Sequence, residues 1–179
     1  MNRASNLRDA TSAEAGGEVA PCIDPLAFRQ ALGQYATGVT IVTARAPDGT
    51  PVGLTANSFS SLSLDPPLVL WSLDRTARSR EVFEAAGHFA IHVLGADQLD
   101  LSRHFASKAV SKFSGLEVAL GHGGVPLLGG CAARFQCRKF DTVDGGDHRI
   151  YIGEVLEFDH CACDPLLFHC GQYGRKHGG

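Results

Sequence analysis

Apolar residues recur along this chain with two periods, and the switches between them mark out its elements. From Asp24 the spacing is helical: Phe28, Ala31, Leu32 and Tyr35 fall three and four apart, with Pro25 at a first helical position and Asp24 as its cap. This predicts a helix whose apolar face packs inward. Gly38-Val-Thr-Ile-Val-Thr-Ala44 then turns to β-branched residues, Pro47-Asp-Gly-Thr50 supplies turn chemistry, and Val52-Gly-Leu-Thr-Ala-Asn57 completes a hairpin. Asp65-Pro-Pro67 interrupts the chain before Leu68-Val-Leu-Trp-Ser-Leu73, a nearly continuous apolar run of the kind a buried strand carries.

A short helix is expected next, with Thr76 as cap, Val82, Phe83 and Ala86 as its apolar stripe and Gly87 as its stop. Strand 89–94 and a helix over 97–105 follow. Cys131, Ala133, Phe135 and Cys137 alternate with Ala132, Arg134, Gln136 and Arg138, the period of two of a strand with one buried face. Ile150, Ile152, Leu156 and Phe158 repeat that alternation, and Asp144-Gly-Gly-Asp147 between the two runs predicts a long antiparallel hairpin. Many short strands, few helices and closely spaced turns predict a mainly β architecture, an antiparallel barrel of Greek-key-like type with peripheral helices packed outside.

Composition adds limits. The chain has 179 residues, 44% of them hydrophobic and 20% charged, which suits one globular domain. Residues 1–22 hold few large apolar side chains and read as a flexible arm, leaving residues 23–175 as the domain and 176–179 as a tail. The net charge of -3, without a run of Lys or Arg, argues against nucleic acid as a partner. No apolar stretch approaches the roughly 18 residues of a membrane span, and the N-terminal residues lack the apolar centre of a secretory signal. A cytoplasmic location is therefore expected, and with it free thiols at all six cysteines.

Several familiar chemistries lack their motifs. Gly121-His-Gly-Gly124 precedes Pro126 rather than a helix, so no Rossmann fingerprint is present, and the P-loop, the Gly-x-Ser-x-Gly elbow and the His-Glu-x-x-His helix are missing. Four other features carry candidate chemistry. The polar run Thr55, Asn57, Ser58, Ser60, Ser61 and Ser63 between apolar strands can present donors to a ring edge or a phosphate, or form a solvated serine-rich turn. Asp74-Arg-Thr-Ala-Arg-Ser79 brings two guanidinium groups to a helix start, suited to a phosphate or to a plain capped surface helix. His148 heads a strand after the Gly-Gly turn, where it could orient a ligand or simply face water. The set His160, Cys161, Cys163, His169 and Cys170 fits no common zinc spacing, so no metal is expected.

In order and spacing these pieces resemble the short-chain flavin reductase family, the reductase components of two-component flavin-dependent monooxygenases. The resemblance runs from Phe28 to Tyr173 and rests on 36–42, Gly53-Leu-Thr-Ala-Asn-Ser-Phe-Ser-Ser-Leu-Ser63, Asp65-Pro-Pro67, 74–79, 87–93, Lys112-Phe113, Gly146-Asp-His-Arg-Ile-Tyr-Ile-Gly-Glu154 and 165–169. It implies an FMN-binding split barrel, a homodimer, and hydride transfer from NADH or NADPH to FMN or FAD for use by a partner monooxygenase. By the same resemblance Thr55, Ala56, Asn57 and Ser58 would line the flavin ring edge, with Thr37, Gly38 and Val39 nearby. Ser60, Ser61, Arg78 and Ser79 would hold the ribityl phosphate, and Asp74, Arg75, Lys112, Phe113 and Tyr173 would also contact the cofactor. His148 would stand on the nicotinamide side as the catalytic position. A non-catalytic flavin-binding protein, or a flavoenzyme with bound FMN reducing another acceptor, stays open as an alternative. Leu62 replaces a smaller β-branched residue of many relatives, and the Cys/His-rich end is not a family hallmark.

Overall fold

A computed structural model describes residues 22–176; the proposed arm, up to residue 21, and the last three residues lie outside that range. Helix α1 (Pro25–Gly33) starts as the capping pattern requires, with the Asp24 carboxylate accepting from the Leu26 and Ala27 amides at 3.1 and 3.2 Å. Its apolar face does not pack inward. No residue of α1 is buried, and Phe28 and Leu32 are more than half exposed. The helix is anchored at its C-terminal end, where the Cys170 amide donates to the Gly33 carbonyl, and this leaves the amphipathic stripe uncovered within one chain.

Strands β1 (Thr37–Gly38), β2 (Thr40–Arg45), β3 (Pro51–Ala56), β4 (Ser60–Leu64) and β5 (Pro67–Asp74) follow, then α2 (Arg80–Ala85), β6 (His88–Val93) and α3 (Leu99–Ala106). The second half carries β7 (Ala119–Leu120), β8 (Pro126–Leu127), the long pair β9 (Ala133–Gly145) and β10 (His148–His160), and finally β11 (Leu166–His169) and β12 (Gln172–Arg175). Seven strands form one antiparallel sheet in the order β3-β2-β6-β9-β10-β5-β4; β1-β11-β12 and β7-β8 make two smaller sheets. The β9–β10 hairpin turns at Gly146, whose φ of 69° lies in the left-handed region that glycine adopts without steric cost.

Side chains from both ends of the strand order share one core. Val52 and Leu54 of β3 meet Val69 and Trp71 of β5 in a cluster completed by Val42, Phe89, Cys137, Tyr151 and Phe83. A sheet whose two ends pack on the same side chains has curled around them into a barrel, with a seam between β3 and the β4–β5 edge. Trp71 stacks on Tyr151 with centroids 4.9 Å apart, and Phe83 of α2 meets the indole edge-on at 4.9 Å. A second cluster, with Val39, Ile41, Leu94, Leu166 and Phe105 of α3, packs α3 beside the sheet. Segment 57–59 crosses the seam and is pinned there: the Ser58 hydroxyl accepts from the Ser72 amide at 2.9 Å and donates to the Ser72 carbonyl at 3.1 Å.

Three expectations fail for local reasons. Thr76 does not cap α2; its amide and hydroxyl donate to Asp74 in a tight turn, and the helix starts four residues later at Arg80. In β10 the inward residues are Tyr151 and Gly153, opposite in phase to the expectation because Tyr151 lies across from the core residue Trp71, while Phe158 is exposed and Leu156 is the extra, exposed residue of a bulge at Val155/Glu157. Cys161 and Cys163 are not free thiols: a turn brings their Cα atoms to 5.5 Å and the sulfurs are joined as a disulfide. Among the described residues no helix is long and apolar enough to cross a membrane.

Candidate active site

The seam opens into a cleft of about 830 Å³, near the top of the roughly 300–1,000 Å³ usual for small-molecule sites. One wall is the end of β3 with Thr55, Ala56, Asn57 and Ser58. A second is the end of β5 with the turn after it, Ser72, Asp74, Thr76, Arg78 and Ser79, joined by His148. His148 reaches this wall because β10 pairs with β5 in a register that sets it opposite Asp74. A third wall is the end of α3 and the connection after it, residues 105–110 with Lys112 and Phe113.

Backbone contact shapes the third wall. A Cβ at Gly53 would stand 2.7 Å from the Phe105 ring and 3.2 Å from Phe113, so only glycine lets these two rings, themselves edge-on at 5.1 Å, close against β3. The Lys112 ammonium donates to the Phe105 carbonyl at 2.6 Å and to the Gly53 carbonyl at 3.2 Å, and the His104 ring bonds the Lys112 carbonyl at 2.7 Å. Lys112 thus ties the connection to β3, and partial burial pulls its ammonium below the ordinary lysine value.

Charge in the cleft is mostly positive. Among the described residues Arg78, Lys108 and Lys112 line it with no ion pair, and Asp74 is the one carboxylate. The Thr76 hydroxyl and amide, with a smaller contribution from His148, hold the Asp74 carboxyl below the usual range, so Asp74 is anionic near neutrality. The His148 Nδ1 lies 2.7 Å from the Asp147 carboxylate, which orients the ring and leaves Nε2 for another partner. Thr55 spends its hydroxyl proton on the Ser102 carbonyl at 2.7 Å, and the Ser102 hydroxyl meets the Tyr173 phenol at 3.0 Å.

The structure brings together Thr55, Ala56, Asn57, Ser58, Asp74, Arg78, Ser79, Lys112, Phe113 and His148. Val39 and Tyr173 line a smaller adjoining recess of about 160 Å³, which shares Thr55, Ala56 and Asn57. Thr37, Gly38, Ser60, Ser61 and Arg75 line neither. Ser60 and Ser61 belong to β4, whose pairing with β5 carries them along an exposed edge, and Arg75 instead pairs with Asp144 at 2.9 Å. Thr37 and Gly38 pair with β11 in the small sheet. The residues that sequence reasoning missed are Gly53, Ser72 and the stretch 105–110; the glycine inside a β-branched run was the one available signal, since an isolated strand glycine marks close approach of another group.

The seam-opened antiparallel barrel is a split barrel whose cationic cleft suits a phosphate-bearing ligand. Residues 32–177 match the family model described as flavin reductase like domain. The FMN reductase (NADH) SmoA of Agrobacterium fabrum is 50% identical over 148 residues, covering 83% of this chain and 84% of that protein. The flavin-dependent monooxygenase reductase subunit HsaB of Rhodococcus jostii is 41% identical over 159 residues, with 88% and 81% covered. The Streptomyces globisporus C-1027 NADH:FAD oxidoreductase SgcE6, solved in complex with NAD and FAD fragments, superposes with a TM-score of 0.81 at 37% identity over 88% of this chain and 98% of that one. The chain spans about half the length of a probable flavin reductase of Rhizobium meliloti, at 50% of that protein. The chain belongs to the flavin reductase-like family.

Proposed function

We infer that the protein is an NAD(P)H:flavin oxidoreductase that takes FMN or FAD into the seam cleft and supplies reduced flavin to a partner flavin-dependent monooxygenase. The observation that carries this reading is the joining, in one cleft, of a pinned backbone loop at Thr55–Ser58 with Arg78 at the β5–α2 turn, which pairs with no described residue. The residues fit the group: the loop offers amides to a polar ring edge, Arg78 and Ser79 suit a phosphate, and the Gly53 notch seats Phe105 and Phe113 as an apolar wall.

A bound flavin supplies the hydride acceptor, so the protein needs no acid–base dyad. What this chain contributes is position and field. Segment 55–58, held by Ser58 on Ser72, presents fixed dipoles that need not reorganise as charge develops. Lys112, occupied by two carbonyls, holds the wall and keeps its third proton for the cleft. His148, oriented by Asp147, positions the nicotinamide donor. The activities by which the relatives are named, an NADH-linked FMN reductase and an NADH:FAD oxidoreductase, support NADH as donor and either flavin as acceptor, and the uncovered apolar face of α1 supports a homodimer. A cytoplasmic site of action accords with this chemistry.

Steady NADH oxidation that requires added flavin, in the absence of any other acceptor, is the expected result. Tight stoichiometric flavin without turnover would instead assign the protein to flavin storage or relay, and turnover only with another acceptor would make it a flavoenzyme with resident FMN.

A further inference from the structure

The reductase reading leaves the cysteine-rich connection between β10 and β11 unused. Cys161 and Cys163 are both exposed, and their Cα separation of 5.5 Å falls inside the roughly 4.4–6.8 Å that a disulfide spans. The loop that holds them is built onto the start of α3. The Cys161 amide donates to the Ala132 carbonyl at 3.0 Å, the Ala96 amide donates to the Asp164 carbonyl at 2.8 Å, and Pro165 bridges Gly95. The Cys163 sulfur lies against Gly95, 3.8 Å from where a Cβ would stand, and the Gly95 amide donates to the Gln98 side chain in the turn that opens α3. From there the path to the cleft is short: Ser102 of α3 accepts from Thr55, and Phe105 forms cleft wall.

A third cysteine lies beside the pair. The Cys161 sulfur lies 3.6 Å from the Cys131 carbonyl oxygen, but burial pushes the Cys131 thiol up to about 11, which keeps it protonated and unreactive. Of these three sulfurs, the two exposed ones are thus those open to exchange.

We propose that Cys161 and Cys163 are a reversible thiol–disulfide site, closed by hydrogen peroxide and opened by dithiols, whose state is transmitted to the flavin cleft through α3. In closing, one thiolate attacks peroxide; the O–O bond breaks, a sulfenic acid forms and hydroxide leaves, to be protonated to water. The second thiol attacks the sulfenic sulfur, the S–S bond forms, the S–O bond breaks and a second water leaves. Two thiols and one peroxide become one disulfide and two waters, sulfur being oxidised and peroxide oxygen reduced. In opening, a dithiol attacks one sulfur, passes through a mixed disulfide and leaves as its own disulfide, returning both thiols. Reduced flavin that meets dioxygen away from a monooxygenase yields peroxide, so the site would sense unproductive turnover; that clause and the transmission to a flavin cleft rest on the reductase reading, whereas the thiol–disulfide site does not.

The test uses the full chain without flavin. Protein reduced with dithiothreitol, desalted, exposed to peroxide and alkylated with N-ethylmaleimide is cut with trypsin, which releases Ile150–Arg175 carrying Cys161, Cys163 and Cys170. Three labels are expected before peroxide and one after, with three restored by dithiothreitol. Three labels after peroxide, or a cross-link to Cys131 or Cys170, would overturn the site. Flavin-dependent NADH oxidation is then compared between the two states. At least a threefold change in KM for flavin is expected, absent in the C161S/C163S double variant; equal KM values in protein whose label count does change would overturn the transmission through α3. Because the label count needs no turnover, it stands whether or not the protein reduces flavin.

Discussion

The centre of the sheet and its seam treat polar side chains in opposite ways. At the centre every buried hydrogen-bonding side chain of β2 and β6 has a partner in the protein. Thr40 donates to the Ala56 carbonyl and Thr43 to the Pro126 carbonyl, both at 2.7 Å, and the His92 ring spans from the Ile41 carbonyl at 3.0 Å to the Leu128 amide at 3.1 Å. At the seam Asn57, Arg78 and Ser79 face the cleft with no side-chain hydrogen bond to a described residue. Leaving a buried polar group unpaired costs about 1–3 kcal/mol, a cost that β2 and β6 avoid, although the Trp71 Nε1 and the Tyr151 hydroxyl elsewhere in the core find no partner among the described residues. The seam, open to water, can hold its donors free for a ligand. A histidine at the centre is therefore structural, and one at the rim is available for chemistry.

His92 gives the largest expected effect. The Leu128 amide needs an acceptor at Nε2 and the Ile41 carbonyl needs a donor at Nδ1, which only the neutral ring supplies, and burial lowers its pKa from 6.5 to about 4. Below pH 6.5 the unfolded chain therefore binds a proton that the folded chain refuses. Stability is full above about pH 6.5 and falls as pH drops toward 4, by about 3 kcal/mol across that window. Urea unfolding at pH 7.5 and pH 4.5 measures this, and His92→Gln should flatten the difference while lowering stability at pH 7.5. An equally steep fall in the variant would place the acid sensitivity elsewhere.

At the seam the expected changes appear in binding and rate. Arg78→Ala should weaken flavin affinity by about 10–100-fold, the worth of one charge-assisted contact of about 1.5–3 kcal/mol, with little change in melting temperature. Fluorescence titration reads it directly, and an unaltered dissociation constant would remove Arg78 from the phosphate role. His148→Ala should slow flavin reduction by about tenfold, or about 1.4 kcal/mol, and change flavin affinity by less than about threefold. Stopped-flow traces with NADH separate the two; an unchanged rate would make His148 a surface histidine after all.

The same contrast explains what the sequence disclosed. The β2–β3 hairpin and the Asp144–Asp147 turn were legible because their residues answer to local rules, β-branched runs and a glycine at positive φ. The phase of β10 was not, because it depends on which strands flank it: Tyr151 rather than Ile152 became core once Trp71 lay across from it. The cleft was half legible. The serine run marked the loop, yet it carried Ser60 and Ser61 along with it, because nothing local says that the chain turns into an edge strand after Ser58. The wall at 105–110 carries no pattern at all; Gly53 and Lys112 place it through contacts far apart in sequence. Likewise the spacing in α1 announced an apolar face and was silent on which molecule covers it.

Tyr173 lies on the boundary between the two regimes and offers the finest discrimination. Its phenol is half-buried and meets the Ser102 hydroxyl at 3.0 Å, while Ser102 is fully buried and its carbonyl takes the Thr55 proton. If the phenol belongs to the internally satisfied group, Tyr173→Phe removes one hydrogen bond worth about 1 kcal/mol and lowers the melting temperature by about 2–4 °C. Flavin affinity then changes by less than about threefold, because the ring itself stays packed on Phe168. Should the variant instead keep its melting temperature and lose flavin affinity tenfold, the phenol faces the ligand and the recess it lines with Val39 is part of the flavin site. Calorimetry and fluorescence titration on the same preparation decide between these outcomes, since a purely structural bond moves the first and a ligand contact moves the second.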